Sequence, residues 1–100
     1  MDKNNSPILF VAEKLQLEDV LNEHSYQEQF DKLAHYLDHL IATDFNKLIS
    51  ILYRVDVSET KARAALAAEA DKFSPGQTLA KLLIERESEK IKFRELYKRK

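Results

Sequence analysis

Apolar positions recur at helical spacing along almost the whole chain. Between residues 8 and 21 they fall at 8, 9, 10, 11, 12, 15, 17, 20 and 21, which predicts a short helix with a break near Gln16. Residues 8–11 taken alone fit an extended segment equally well. Phe30, Leu33, Leu37, Leu40 and Ile41 then form the stripe of an amphipathic helix, with Tyr26, Ala34 and Tyr36 beside it. Ser25-Tyr26-Gln27-Glu28 has the form of a capping box, in which the serine hydroxyl accepts from a backbone N–H three residues on. The helix it opens is expected to run to about Thr43.

Thr43 or Asp44 suits the N-cap of a further helix from Phe45 to about Val55. Phe45, Leu48, Ile49, Ile51, Leu52 and Val55 cover more than half of its circumference, so this helix is expected to be the most buried. Ile51, Tyr53, Val55 and Val57 also alternate as a strand would, but no partner strand exists in the sequence, and helix is preferred to about Arg54. Asp56-Val57-Ser58 reads as a turn with Ser58 as the next N-cap. Residues 59–72 are rich in alanine, the strongest helix former, whose small side chain also admits close approach by a neighbour. Leu66 and Phe73 supply the bulk there. Ser74-Pro75-Gly76-Gln77 is the clearest boundary: a cap, a proline at the first helical position, and a glutamine to complete the box. The last helix has no internal breaker. Residues 78–84 are apolar on most sides, and charge dominates from Glu85 onward.

These elements predict an all-α fold, an antiparallel bundle of four or five helices with a long C-terminal helix, as one domain over residues 1–100. Residues 1–7 are read as disordered and residues 90–100 as projecting. Composition supports the class. One glycine and two prolines in 100 residues are too few for the turns of a β-sandwich. The absence of cysteine excludes disulfide staples and cysteine zinc sites and fits a reducing compartment. The N-terminal residues are polar, and residues 8–12 are too short an apolar run for a signal core or a membrane span. A cytoplasmic protein without membrane contact is therefore expected.

The net charge of −1 hides a split. Residues 1–60 carry 11 acidic and 5 basic side chains, whereas residues 61–100 carry 6 acidic and 11 basic. Such asymmetry favours intramolecular packing, head-to-tail association or an acidic partner. Lys90, Lys92, Arg94, Lys98, Arg99 and Lys100, interleaved with Phe93 and Tyr97, are candidate nucleic-acid contacts. Cations also complement a helix C-terminus, and with a pI near 6.3 the chain lacks the strong basicity of many nucleic-acid-binding domains. Ile91, Phe93, Leu96 and Tyr97 form a candidate interaction surface, because apolar side chains on a charged helix end must be covered by something.

His35 and His39 have the four-residue spacing of metal ligands, with Glu28, Asp31 and Asp38 on the same third of the helix. That face lies opposite the apolar stripe and reads as solvated, so no metal or other cofactor is expected. His24 is expected to be exposed. Ser25, Ser58 and Ser74 are more simply explained as caps than as members of a hydrolase triad, and no enzyme is expected.

The segment from Thr43 to Glu59, TDFNKLISILYRVDVSE, followed by Leu82-Leu83-Ile84-Glu85-Arg86, resembles a group of small uncharacterised helical proteins of Bacteroidetes-type bacteria. The resemblance covers roughly residues 40–95. It implies an intracellular bacterial helical protein and carries over no catalytic or binding residue. The function expected is a non-enzymatic interaction module, homodimeric through its C-terminal helix or docking a protein partner. The alternative is a nucleic-acid-associated accessory protein using the basic C-terminal helix.

Overall fold

The computed structural model describes residues 6–98, which form six helices and no strand. They are α1 (Pro7–Lys14), α2 (Glu18–Leu21), α3 (Tyr26–Thr43), α4 (Phe45–Val55), α5 (Glu59–Glu69) and α6 (Pro75–Lys98). The all-α bundle with a long last helix is as expected. The extra helix arises because the first apolar segment is two helices, divided at Gln16. Residues 1–5, within the stretch read as disordered, lie outside the described residues. The same reading fails for Ser6 and Pro7: Ser6 is buried at the N-cap position and Pro7 opens α1, where its fixed φ and missing N–H suit the first turn.

Two helices stop on left-handed residues that are not glycine, Gln16 at φ 58° and Asp56 at φ 69°. Both stops close by paired backbone bonds. Leu17 N–H donates to Ala12 O (2.9 Å) and Gln16 N–H to Glu13 O; Val57 N–H donates to Leu52 O (2.9 Å) and Asp56 N–H to Tyr53 O. This pattern satisfies orphan carbonyls at a helix C-terminus. At the second stop it also brings Val57 into the core, 7% exposed, which ends the apparent strand alternation of residues 51–57.

The predicted N-caps hold the starts. Ser25, Asp44 and Ser58 accept from the N–H groups of Glu28, Lys47 and Lys61. Glu28 does not reach back to the backbone of residue 25; its carboxylate accepts from the Ser25 hydroxyl instead (2.8 Å). The second capping box is reciprocal, with Ser74 N–H donating to Gln77 Oε1 and Gln77 N–H to Ser74 Oγ.

The core draws Ile8 and Val11 from α1, Leu33 and Leu37 from α3, Val55 from α4, and Leu79 and Leu83 from α6. Each such side chain stabilises the fold by about 1.5–3 kcal/mol on full burial. The first half of α6, rather than α4, is the most enclosed element. It buries Gly76, Thr78, Leu79, Ala80, Leu82, Leu83 and Glu87, whereas Phe45 and Tyr53 of α4 stand 51% and 76% exposed. The alanines of α5 meet α6 on one side only: Ala62 is buried and Ala65 half-buried, while Ala64, Ala67 and Ala68 face solvent. That helix lies at the edge of the bundle and ends at Glu69, earlier than its composition suggested.

The start of α6 is fixed against α3 by a single carboxylate. Asp38 Oδ1 accepts from Gly76 N–H (2.7 Å) and Oδ2 accepts from the Ser74 hydroxyl (2.8 Å). An anion at a helix N-terminus is favoured by the orphan N–H groups and the dipole. The approach is so close that a Cβ at residue 76 would overlap the Ala34 carbonyl oxygen and the Asp38 carboxyl group. The chain's one glycine therefore serves helix-to-helix contact rather than a turn.

Candidate functional site

The far half of α6 closes the ends of α1 and α4. Lys90 donates to the Val55 carbonyl (2.7 Å), and Arg86 donates to the Asp56 carbonyl and to its carboxylate (2.9 Å). Cations at the C-terminal carbonyls of a helix answer its dipole. The Arg86 guanidinium holds the Asp56 carboxyl below its ordinary range, first by hydrogen bonding and then by charge. Burial pushes the Lys90 ammonium below its ordinary value, and the neighbouring Lys14 ammonium adds to the effect.

Glu87 is the enclosed charge of this region, 1% exposed. Lys14 Nζ lies 2.9 Å from one carboxylate oxygen and Arg94 Nη2 3.8 Å from the other. Arg94 also lies over the Phe10 ring, 5.3 Å from its centroid. These pairings run α1 against α6 in the antiparallel sense, with Lys14 at residue 87 and Phe10 at residue 94.

Phe93 lines an open groove with Lys14, Arg86, Glu87, Glu89, Lys90 and Arg94, and the candidate interaction surface starts there. Ile91 is half-buried, while Phe93, Leu96 and Tyr97 are 58%, 63% and 62% exposed. The Phe93 and Tyr97 rings meet edge to face at 4.8 Å, the spacing of residues one helical turn apart. Lys92 and Lys98 flank them in solvent. Of the candidate phosphate contacts, then, Lys90 and Arg94 are engaged with the body of the protein and Lys92 and Lys98 face outward. Arg99 and Lys100 lie outside the described residues. Residues 92–98 are all exposed, with Arg94 still reaching Glu87 and Phe10, and Lys90 is half-buried.

His35 and His39 are solvent-exposed, as expected, on the wall of an open cleft of about 550 Å³ between α2 and α3. Leu17, Val20 and Tyr36 supply its apolar lining, and Asp19, Asp31 and Lys32 its charged lining. Lys32 is drawn to Glu23 (3.1 Å) and holds that carboxyl below its ordinary range, while Asp31 accepts from the neutral Gln27 amide. Among the described residues no three His, Cys, Asp or Glu side chains come together as metal ligands. His24 is exposed. A second cleft, about 340 Å³ and more apolar, opens between α4 and α5, lined by Phe45, Leu48, Ile49, Leu66 and Phe73 among others. Ile49, expected in the core, is half-buried at this cleft.

Two residues read from the sequence as solvated prove structural. Asp38 was grouped with the histidine face, yet it caps α6. Glu87 was counted among the charges beyond residue 85, yet it is buried. Helical phase contains the signal for both: Glu87 continues the Leu79–Leu83 row at intervals of four, and Asp38 follows Ala34 in the same way.

Among the described residues no helix is long and apolar enough to cross a membrane. Comparison with known proteins finds no matching family model, no matching curated protein and no matching solved structure.

Proposed function

We propose that this chain is a non-enzymatic, self-associating helical module of the cytoplasm, whose contact surface is the outer face of the last turns of α6. One observation carries the reading: Phe93, Leu96 and Tyr97 stand more than half exposed on a helix end that Glu87, Lys90 and Arg94 already tie to the body of the protein. A face held in a fixed orientation and left apolar gains from association, because little side-chain or backbone order remains to be imposed on binding. Symmetric homo-oligomers are the commonest soluble assemblies, so a second copy is the first partner to consider. The engagement of Ser25, Ser58 and Ser74 as N-caps supports the non-enzymatic part.

Light scattering on the purified protein tests the reading. Wild-type protein is expected above its monomer mass of 11.7 kDa, and Phe93→Glu with Leu96→Glu is expected at that mass with an unchanged helical circular dichroism signal. Equal masses for the two proteins refute it. Titration with duplex DNA and with RNA at low salt belongs beside that measurement. Saturable, salt-sensitive binding lost in Lys92→Glu with Lys98→Glu would favour the nucleic-acid alternative.

A further inference from the structure

We infer that the surface receiving the aromatic end of α6 is the cleft between α2 and α3 of a second copy. This rests on the self-association just proposed and names the other half of the contact.

Two arguments exclude the simpler arrangement, in which two α6 ends pair with each other. The first is charge. Residues 88–100 carry Lys90, Lys92, Arg94, Lys98, Arg99 and Lys100 against Glu89 and Glu95, so end-to-end pairing sets like charges together. The second is area. Phe93, Leu96 and Tyr97, each about three-fifths exposed, offer roughly 300–400 Å² in total, well short of the about 800 Å² per partner that stable interfaces bury.

The cleft answers both points. Residues 17–39 hold Glu18, Asp19, Glu23, Glu28, Asp31 and Asp38 against Lys32, with His35 and His39 on the cleft wall. The lining carboxylates are Asp19 and Asp31, and the lining cation Lys32 pairs with Glu23 at 3.1 Å and also feels the charge of Asp19. The interior is apolar, from Leu17, Val20 and Tyr36, and at about 550 Å³ the open cleft has room for aromatic side chains. Phe93 and Tyr97 would enter the apolar interior while Lys92 and Lys98 meet the acidic mouth. Where two copies exchange their ends, each contributes one end and one cleft, so the buried area doubles and the charges alternate in sign across the interface.

This contact is heterologous in its parts, and complementation exposes that. One variant has a disabled end, Phe93→Glu with Leu96→Glu. The other has a disabled cleft, Asp19→Lys with Asp31→Lys. Each alone is expected to sediment as a monomer. An equimolar mixture is expected to associate more than either variant alone, through its one sound end and one sound cleft, and more weakly than wild type, which has two such contacts. Wild-type association is expected to weaken as salt is raised. A cleft variant that still self-associates like wild type, or a mixture that stays monomeric, overturns the inference while leaving self-association through α6 standing. Monomeric wild-type protein overturns both. Circular dichroism of each variant confirms folding. If a double variant fails to fold, the single substitutions Phe93→Glu and Asp31→Lys make the same comparison.

Discussion

Replacing Gly76 with alanine reverses the ordinary effect of that substitution. In a helix interior Gly→Ala stabilises by about 1 kcal/mol. Here the new methyl would meet the Ala34 carbonyl oxygen, which belongs to the backbone of α3 and cannot swing aside, and the Asp38 carboxyl carbon at 2.7 Å. Relief requires the start of α6 to retreat from α3. That retreat stretches the 2.7 Å bond from Gly76 N–H and the 2.8 Å bond from the Ser74 hydroxyl, both to Asp38. Overpacking costs about 1–3 kcal/mol, and losing a hydrogen bond to a charged group about 1.5–3 kcal/mol. With the propensity gain of about 1 kcal/mol set against these, a net loss of about 2–4 kcal/mol is expected. Urea unfolding followed by circular dichroism measures it, as a lower midpoint at unchanged slope. The same substitution in an Asp38→Ala background should cost less, since part of the strain acts through that carboxylate. A Gly76→Ala protein as stable as wild type would refute the argument that this glycine exists for close contact.

Several further outcomes are expected. Leu83→Ala, at a fully buried position, should cost about 2–5 kcal/mol in urea unfolding. Lys14→Ala strips the buried Glu87 of its nearest cation and should cost about 3–5 kcal/mol in urea unfolding, whereas replacing Lys14 and Glu87 together by methionine should be near neutral. Gln16→Gly should stabilise by about 0.5–1 kcal/mol, because residue 16 holds a left-handed conformation that glycine adopts without strain. Asp56 has its carboxyl held down by Arg86, so its contribution is present above the ordinary value of 3.8 and is lost as the pH falls through the lower folded value. Urea midpoints measured on acidification should accordingly fall less steeply in Asp56→Asn than in wild type.

Periodicity and capping made most of the fold legible. Ser25, Asp44, Ser58 and Ser74 mark their helix starts by chemistry confined to four residues, and the apolar rows of α3 and α4 repeat without interruption. The helix stops were harder to read. A left-handed stop is normally announced by glycine, and here Gln16 and Asp56 occupy those positions while the single glycine lies inside α6. The peripheral place of α5 was hidden because alanine has high helix propensity whether it is buried or exposed, so its run predicted the helix and said nothing of its neighbours. Asp38 and Glu87 depend on partners 36 and 73 residues away, distances at which no local pattern operates. The aromatic end of α6 was visible as a stripe out of keeping with its charged surroundings. The cleft between α2 and α3 was not, because its walls come from two helices whose relative placement follows from the turn at residues 22–25.

Sedimentation equilibrium of the wild-type chain over a wide concentration range tests the proposed self-association most directly. The weight-average mass is expected to rise from 11.7 kDa toward at least twice that value with increasing concentration, and to rise less at high salt. A mass that stays at 11.7 kDa into hundreds of micromolar would contradict it, and would mean that Phe93, Leu96 and Tyr97 face solvent for some other reason.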